Sequence, residues 1–177
     1  MSGDYVVRPV HTDDADELGH VHVQIWREAY AGLIAPEHLA GLRWQRSAER
    51  FRGAAEVGDG EVHRERVAQH VASGALVGII TVGVGRDDDA PTAVELSSLN
   101  VLAAHHGTGV ATKLVDAALG EQAAYLWVLE GNERAIAFYR KHDFALDGAT
   151  KWDDRFGVNE LRMVRGKPTC SRLLRGS

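Results

Sequence analysis

Leu96-Ser-Ser-Leu-Asn-Val-Leu-Ala-Ala-His-His-Gly-Thr-Gly-Val-Ala111 leads a run of strand-forming residues into a glycine-rich helix start. A strand is expected over Val94–Leu102. A helix is expected from about Thr108 to Ala123, with Val110, Leu114, Val115, Ala118 and Leu119 along one side. Gly107 and Gly109 permit backbone angles and close approaches that side chains would block. The first amides of a helix lack internal partners and carry partial positive charge, which favours an anion there. The stretch therefore reads as a phosphate cradle, or as a tight turn with packing glycines. A dinucleotide fingerprint would place glycine where Thr112 stands, and a P-loop would place glycine before Lys113, so neither standard phosphate motif fits.

Working outward, Tyr5–Val10 reads as a first strand, halted near Pro9. Thr12 is an N-cap candidate for a helix running to about Tyr30, with an apolar stripe of Leu18, Val21, Ile25, Trp26 and Ala29. A second, arginine-rich helix is expected over Pro36–Ala55. Strands over Arg66–Ala72 and Ala75–Val84 flank Ser73-Gly74, a hairpin signal. Tyr125–Leu129 is short and almost wholly apolar, as in the centre of a sheet. Glu133–Lys141 reads as a helix capped by Asn132. Phe144–Asp147 and Asn159–Val164 read as two last strands with a polar loop between them. The order is that of a mixed α/β domain on one sheet flanked by helices, spanning residues 1–165. The basic segment from residue 166 to 177 is expected to be a loosely ordered tail.

The 177 residues suit one domain, and a 45% hydrophobic fraction suits a real core. A net charge of −5 argues against a nucleic-acid partner. The single cysteine, Cys170, allows neither an internal disulfide nor a cysteine zinc site and agrees with a reducing cytoplasm. The polar, acidic start reads as no signal peptide. The longest apolar run, Ala75–Val84, falls far short of the roughly 20 residues that span a bilayer, so no membrane association is expected. His20 and His22 are two apart on a helix, so their rings diverge and no metal site is read there.

A second segment gives the glycine turn its meaning. Asn132, Ala135, Phe138, Tyr139 and Phe144 stand in the register N-x-x-A-x-x-F-Y-x-x-x-G-F, with Asp143 in place of the glycine. His106-Gly-Thr-Gly-Val-Ala111 matches [Q/R]-x-x-G-x-[G/A] at Gly109 and Ala111, with His106 in place of Gln/Arg. In this order, with Gly107 and Asn132 25 residues apart, the chain resembles the GNAT superfamily of acetyl-CoA-dependent N-acetyltransferases from its first strand to about Val164.

That resemblance implies acetyl transfer from acetyl-CoA to a primary amine of a small molecule, by direct attack in a ternary complex. A protein lysine or N-terminal acetyltransferase, and a non-catalytic CoA-binding regulatory module, are the alternatives. Acetyl-CoA is the implied cosubstrate, bound by Leu99, Asn100 and Val101 on the strand, by His106 to Thr112 at the turn, and by Asn132 and Tyr139. A homodimer, common among similar proteins, is a further implied partner. Tyr139 is the implied proton donor to the departing thiolate. Backbone N–H groups near Leu99–Val101 would stabilise the carbonyl oxygen. Glu95, directly or through water, is the first candidate base, and Glu28 the second. Trp26, Glu28 and Tyr30 would border the acceptor, although the aromatics would read the same as core. Asp143 is expected in a left-handed conformation that aspartate tolerates with mild strain.

Overall fold

The computed structural model of the chain describes residues 4–166. Seven strands form one sheet: β1 (Tyr5–Pro9), β2 (Arg64–His70), β3 (Leu76–Val84), β4 (Val94–Val101), β5 (Ala124–Leu129), β6 (Ala145–Asp153) and β7 (Val158–Arg165). Their spatial order is β1-β2-β3-β4-β5-β7-β6. All neighbours are antiparallel except β4 and β5, which run parallel. Five α-helices flank the sheet: α1 (Ala15–Ala29), α2 (Pro36–Ala40), α3 (Trp44–Val57), α4 (Val110–Ala118) and α5 (Glu133–Arg140). None of them is long and apolar enough to cross a membrane.

The two faces of the sheet bury different sets of residues. On one face, Leu18 of α1 and Phe51 of α3 pack on Val67, Leu76 and Ile79. On the other, Val110, Leu114 and Val115 of α4 and Ile136 of α5 pack on Ile80, Val82, Leu96, Leu126 and Met163. Each such fully buried side chain contributes roughly 1.5–3 kcal/mol through burial of apolar surface.

Two bulges break the strand alternation. In the β2–β3 pair, Ala68 faces Gly78 and Gln69 faces Leu76, so Val77 is the extra residue. In the β3–β4 pair, Thr81 faces Ser98 and Val82 faces Leu96, so Ser97 is extra. The second bulge explains the apolar pattern of β4. Val94 and Leu96 keep period two, the phase slips by one at Ser97, and Leu99 and Val101 then return to the same core.

Several boundaries differ from the sequence expectation. The arginine-rich helix is two helices, because the chain leaves α2 at Gly41 and restarts after an extended Arg43. Glycine is a poor helix former, and the break lets Leu39 and Leu42 join Ile34 and Leu129 in a third apolar cluster. Thr12 is not the cap of α1. A short 3-10 turn over Thr12–Asp14 intervenes, and the Asp14 carboxylate accepts from the His11 amide at 2.8 Å and from Arg8 at 2.7 and 2.8 Å. α4 is shorter than expected and stops ahead of Gly120, whose φ is +53°. β6 runs on to Asp153, so much of the expected polar loop is strand. Asn132 does cap α5, its Oδ1 accepting from the Ala135 amide at 3.2 Å. Asp143 is left-handed as expected, at φ +65°. The tail from residue 167 lies outside the described residues.

Candidate active site

The parallel neighbours β4 and β5 are registered at one pair only, Glu95 opposite Tyr125. Beyond it β5 stays paired with β7 along its whole length. β4 bends at the Ser97 bulge and parts from β5. The wedge between them opens into a cavity of about 1090 Å³ whose walls include Leu99, Asn100 and Val101 of β4 and Trp127, Val128 and Leu129 of β5. Backbone groups on the open edge of a parted strand are available to an extended ligand.

The glycine turn closes one end of the cavity. Gly107 and Gly109 have φ of +75° and +87°, and a Cβ at either would meet nothing within 4 Å. The glycines therefore serve backbone conformation and leave open space above the turn. The Lys113 amide donates to the Gly109 carbonyl at 3.1 Å, which closes the first helical turn. The amides of Val110, Ala111 and Thr112 precede it and have no helical acceptor. Amides so placed at a helix start are suited to an anion.

His106 does not extend from this turn as a free side chain. Its Nε2 lies 2.9 Å from the Val101 carbonyl, and its Nδ1 lies 2.7 Å from Nη1 of Arg134. It ties the end of β4 to the first turn of α5. Thr108 turns back on its own loop, donating to the His105 carbonyl at 2.8 Å, and Val110 is core. These two side chains, unlike Gly107, Gly109, Ala111 and Thr112, are absent from the cavity wall.

Tyr139 of α5 lies in the cavity wall, held edge-on by Phe138 and Phe144 at ring distances of 5.5 and 5.8 Å. Its hydroxyl makes no hydrogen bond to any described residue, yet it is not sealed from solvent, so it opens onto the cavity. Burial pushes the phenol well above its usual pKa, with a smaller push from Tyr30 nearby. It stays protonated at any working pH. Tyr30 also lines the cavity, edge-on to Trp26 at 5.0 Å. Trp26 packs on Phe156 as well, and its Nε1 is buried without a partner, so this residue is wall and core together.

The two expected bases are both committed elsewhere. Glu95 is buried, and its carboxylate takes Nε and Nη2 of Arg86 at 2.9 and 2.6 Å, the Tyr125 hydroxyl at 3.2 Å and the Arg86 amide at 3.3 Å. A carboxylate so saturated is an anchor for Arg86 rather than a free proton acceptor. Glu28 is outside the cavity wall and accepts from Gln24 at 2.8 Å and from the Ala103 amide at 3.0 Å, joining α1 to the approach to the glycine turn. His20 and His22 both pack against α3, His20 stacking on Trp44 and His22 bonding Ser47 at 3.0 Å.

The sequence reading missed much of the opposite end of the cavity. It is walled by His22 and Arg50, by Arg86 after β3, and by Lys151, Asp153, Arg155 and Glu160 of the β6–β7 hairpin. The segment between the last two strands was read only as a polar loop, and nothing local indicated that it lines the same cavity as β4. Arg134 lay inside the recognised motif and carried no signal of its own.

The Acetyltransferase (GNAT) family profile matches residues 25–144. An uncharacterized N-acetyltransferase of Mycobacterium tuberculosis is 34% identical over 162 residues, covering 86% of this chain and 97% of its own. The fold is similar to that of the PaiA N-acetyltransferase from Thermoplasma acidophilum, solved in complex with coenzyme A, with a TM-score of 0.70 at 19% identity over 89% of this chain and 97% of that one. A GNAT-family acetyltransferase from Bacillus cereus gives a TM-score of 0.66 at 17% identity, over 93% and 99%. A strand parted by a bulge, a glycine turn at its end and a tyrosine on α5 thus coincide with the profile match, and the chain belongs to the GNAT family of acetyltransferases.

Proposed function

We propose that the protein transfers an acetyl group from acetyl-CoA to the primary amine of a small molecule, by direct attack with both substrates bound. The observation that carries this reading is the β4–β5 wedge, which joins a backbone cradle for phosphate to an unpartnered tyrosine hydroxyl in a single cavity. The pyrophosphate of CoA would sit on the amides from Gly107 to Thr112. The amide-bearing arm would run along Leu99, Asn100 and Val101 as an added strand, with Asn132 beside it.

In the reaction the amine nitrogen attacks the thioester carbonyl and the C–N bond forms. Backbone N–H groups of β4 stabilise the oxyanion. As the C–S bond breaks, the Tyr139 hydroxyl gives its proton to the sulfur, and the proton released by the amine restores the phenol through cavity water. With Glu95 and Glu28 committed, the amine enters as its neutral fraction. An α-amino group of pKa near 8 supplies about a tenth of that form at pH 7.

Free CoA release measured over a panel of amines, amino acids and peptides tests the reaction. A thermal-shift series tests the cosubstrate: acetyl-CoA should stabilise the protein, and NAD and ATP should not. No response to acetyl-CoA would overturn the reading.

A further inference from the structure

The end of the cavity away from the glycine turn carries two arginines in the same unusual state. Arg86 bonds Glu95 through Nε and Nη2, and Arg155 bonds Asp153 through Nε and Nη2 at 3.0 and 2.6 Å. In each pair the carboxylate is buried, at 4% and 8% exposure, while the guanidinium is 70% and 78% exposed. In each the Nη1 group has no partner among the described residues. Both arginines line the same cavity.

Buried carboxylates fix both arginines by their rear edges. Each side chain is therefore ordered before any ligand arrives, which removes most of the entropy cost of using it. What remains outward on each is an Nη1 group with no partner among the described residues. Arg50 adds positive charge on the same wall, its buried partner Glu65 again lying behind it. A carboxylate on the acceptor would replace solvent on these donors with charge-assisted hydrogen bonds.

We infer that the acceptor amine carries a carboxylate, held between Nη1 of Arg86 and Nη1 of Arg155. This inference rests on the acetyl-transfer reading above and adds the class of acceptor. The amine of such a molecule points toward the wedge, and its carboxylate stays at the mouth. Charge-assisted hydrogen bonds of this kind distinguish an acid from its amide by roughly tenfold or more.

The test compares α-amino acids and short peptides, each offered as the free acid and as the carboxamide, by kcat/KM for acetyl transfer. Amides have the less basic amine and so the larger neutral fraction, so intrinsic reactivity favours them and any preference for the acid comes from the site. The expected acid-to-amide ratio is roughly tenfold or more for the native protein and falls severalfold or more in Arg155→Gln. A ratio cancels any loss of folded protein in the variant. A native ratio of one or below, or a ratio that survives Arg155→Gln, overturns the inference. If no acceptor in the panel turns over, the shift in Tm of the acetyl-CoA complex by acid and by amide gives the same comparison, and equal shifts overturn it. Failure of acetyl-CoA to bind instead removes the acetyl-transfer reading itself.

Discussion

The two ends of the cavity are built from different materials. At the glycine turn the ligand-facing groups are main-chain amides, set by two positive-φ glycines and a helix start. At the acceptor end they are side chains, brought from α1, α3, the loop after β3 and the β6–β7 hairpin and fixed by ion pairs. A backbone site tolerates changes of side chain provided the dihedral angles survive. A side-chain site can be respecified by single substitutions without disturbing the fold. Under the proposed function, one end would hold what every reaction cycle shares, and the other what varies with the acceptor.

The contrast can be broken at several points, from large effects to small. Tyr139, between the two ends, should behave as chemistry alone: Tyr139→Phe should lower kcat about a hundredfold while leaving the acetyl-CoA dissociation constant unchanged. Equal losses in both would make it a wall residue. Gly109→Val strikes the backbone end. A β-branched residue at φ +87° carries strain of about 1–2 kcal/mol and puts carbon into the cradle, so acetyl-CoA affinity by calorimetry should fall tenfold or more. Unchanged affinity would move the phosphate elsewhere.

The acceptor end should show itself in pH dependence. Burial, with a smaller push from Arg50, lowers the His22 pKa to about 4. The unfolded chain takes up this proton near pH 6.5 and the folded chain only near 4. Stability is thus intact above pH 6.5 and declines across that window by about 2–3 kcal/mol. Urea unfolding at pH 7 and pH 4.5 should show the decline, and His22→Gln should flatten it. The smallest effect is at Asp143, far from either end in function: Asp143→Gly should raise stability by about 0.5 kcal/mol, because glycine accepts φ +65° without steric cost.

How much of this was legible follows from the same contrast. The glycine turn, the Asn132 cap and the left-handed Asp143 each depend on a few neighbouring residues, and all were readable. The bulge was readable too: Val94 and Leu96 are even, Leu99 and Val101 are odd, and Ser97-Ser98 marks the slip between them. A strict reading of period two would have found it. The surroundings of Glu95 were not readable, for a physical reason. Its position on β4 is local information, but its saturation comes from Arg86 and Tyr125, which only the folded sheet brings to it. Arg155 and Asp153 belong to a hairpin that shares a cavity with β4 only through tertiary topology. Helix 2 of the sequence reading failed at Gly41, where one glycine was outvoted in a window otherwise favourable to helix.

The lone register pair between β4 and β5 also divides the molecule mechanically. Strands β1 to β4 form one half-sheet and β5 to β7 another, and a single seam at Glu95 and Tyr125 joins their main chains. The same two side chains bolt that seam, the Tyr125 hydroxyl donating to the Glu95 carboxylate. An extended molecule lying in the gap would hydrogen-bond where a strand is missing, and so would complete the sheet while it is bound. Occupancy would thus add main-chain bonds to a join that otherwise rests on the core shared by α4 and α5.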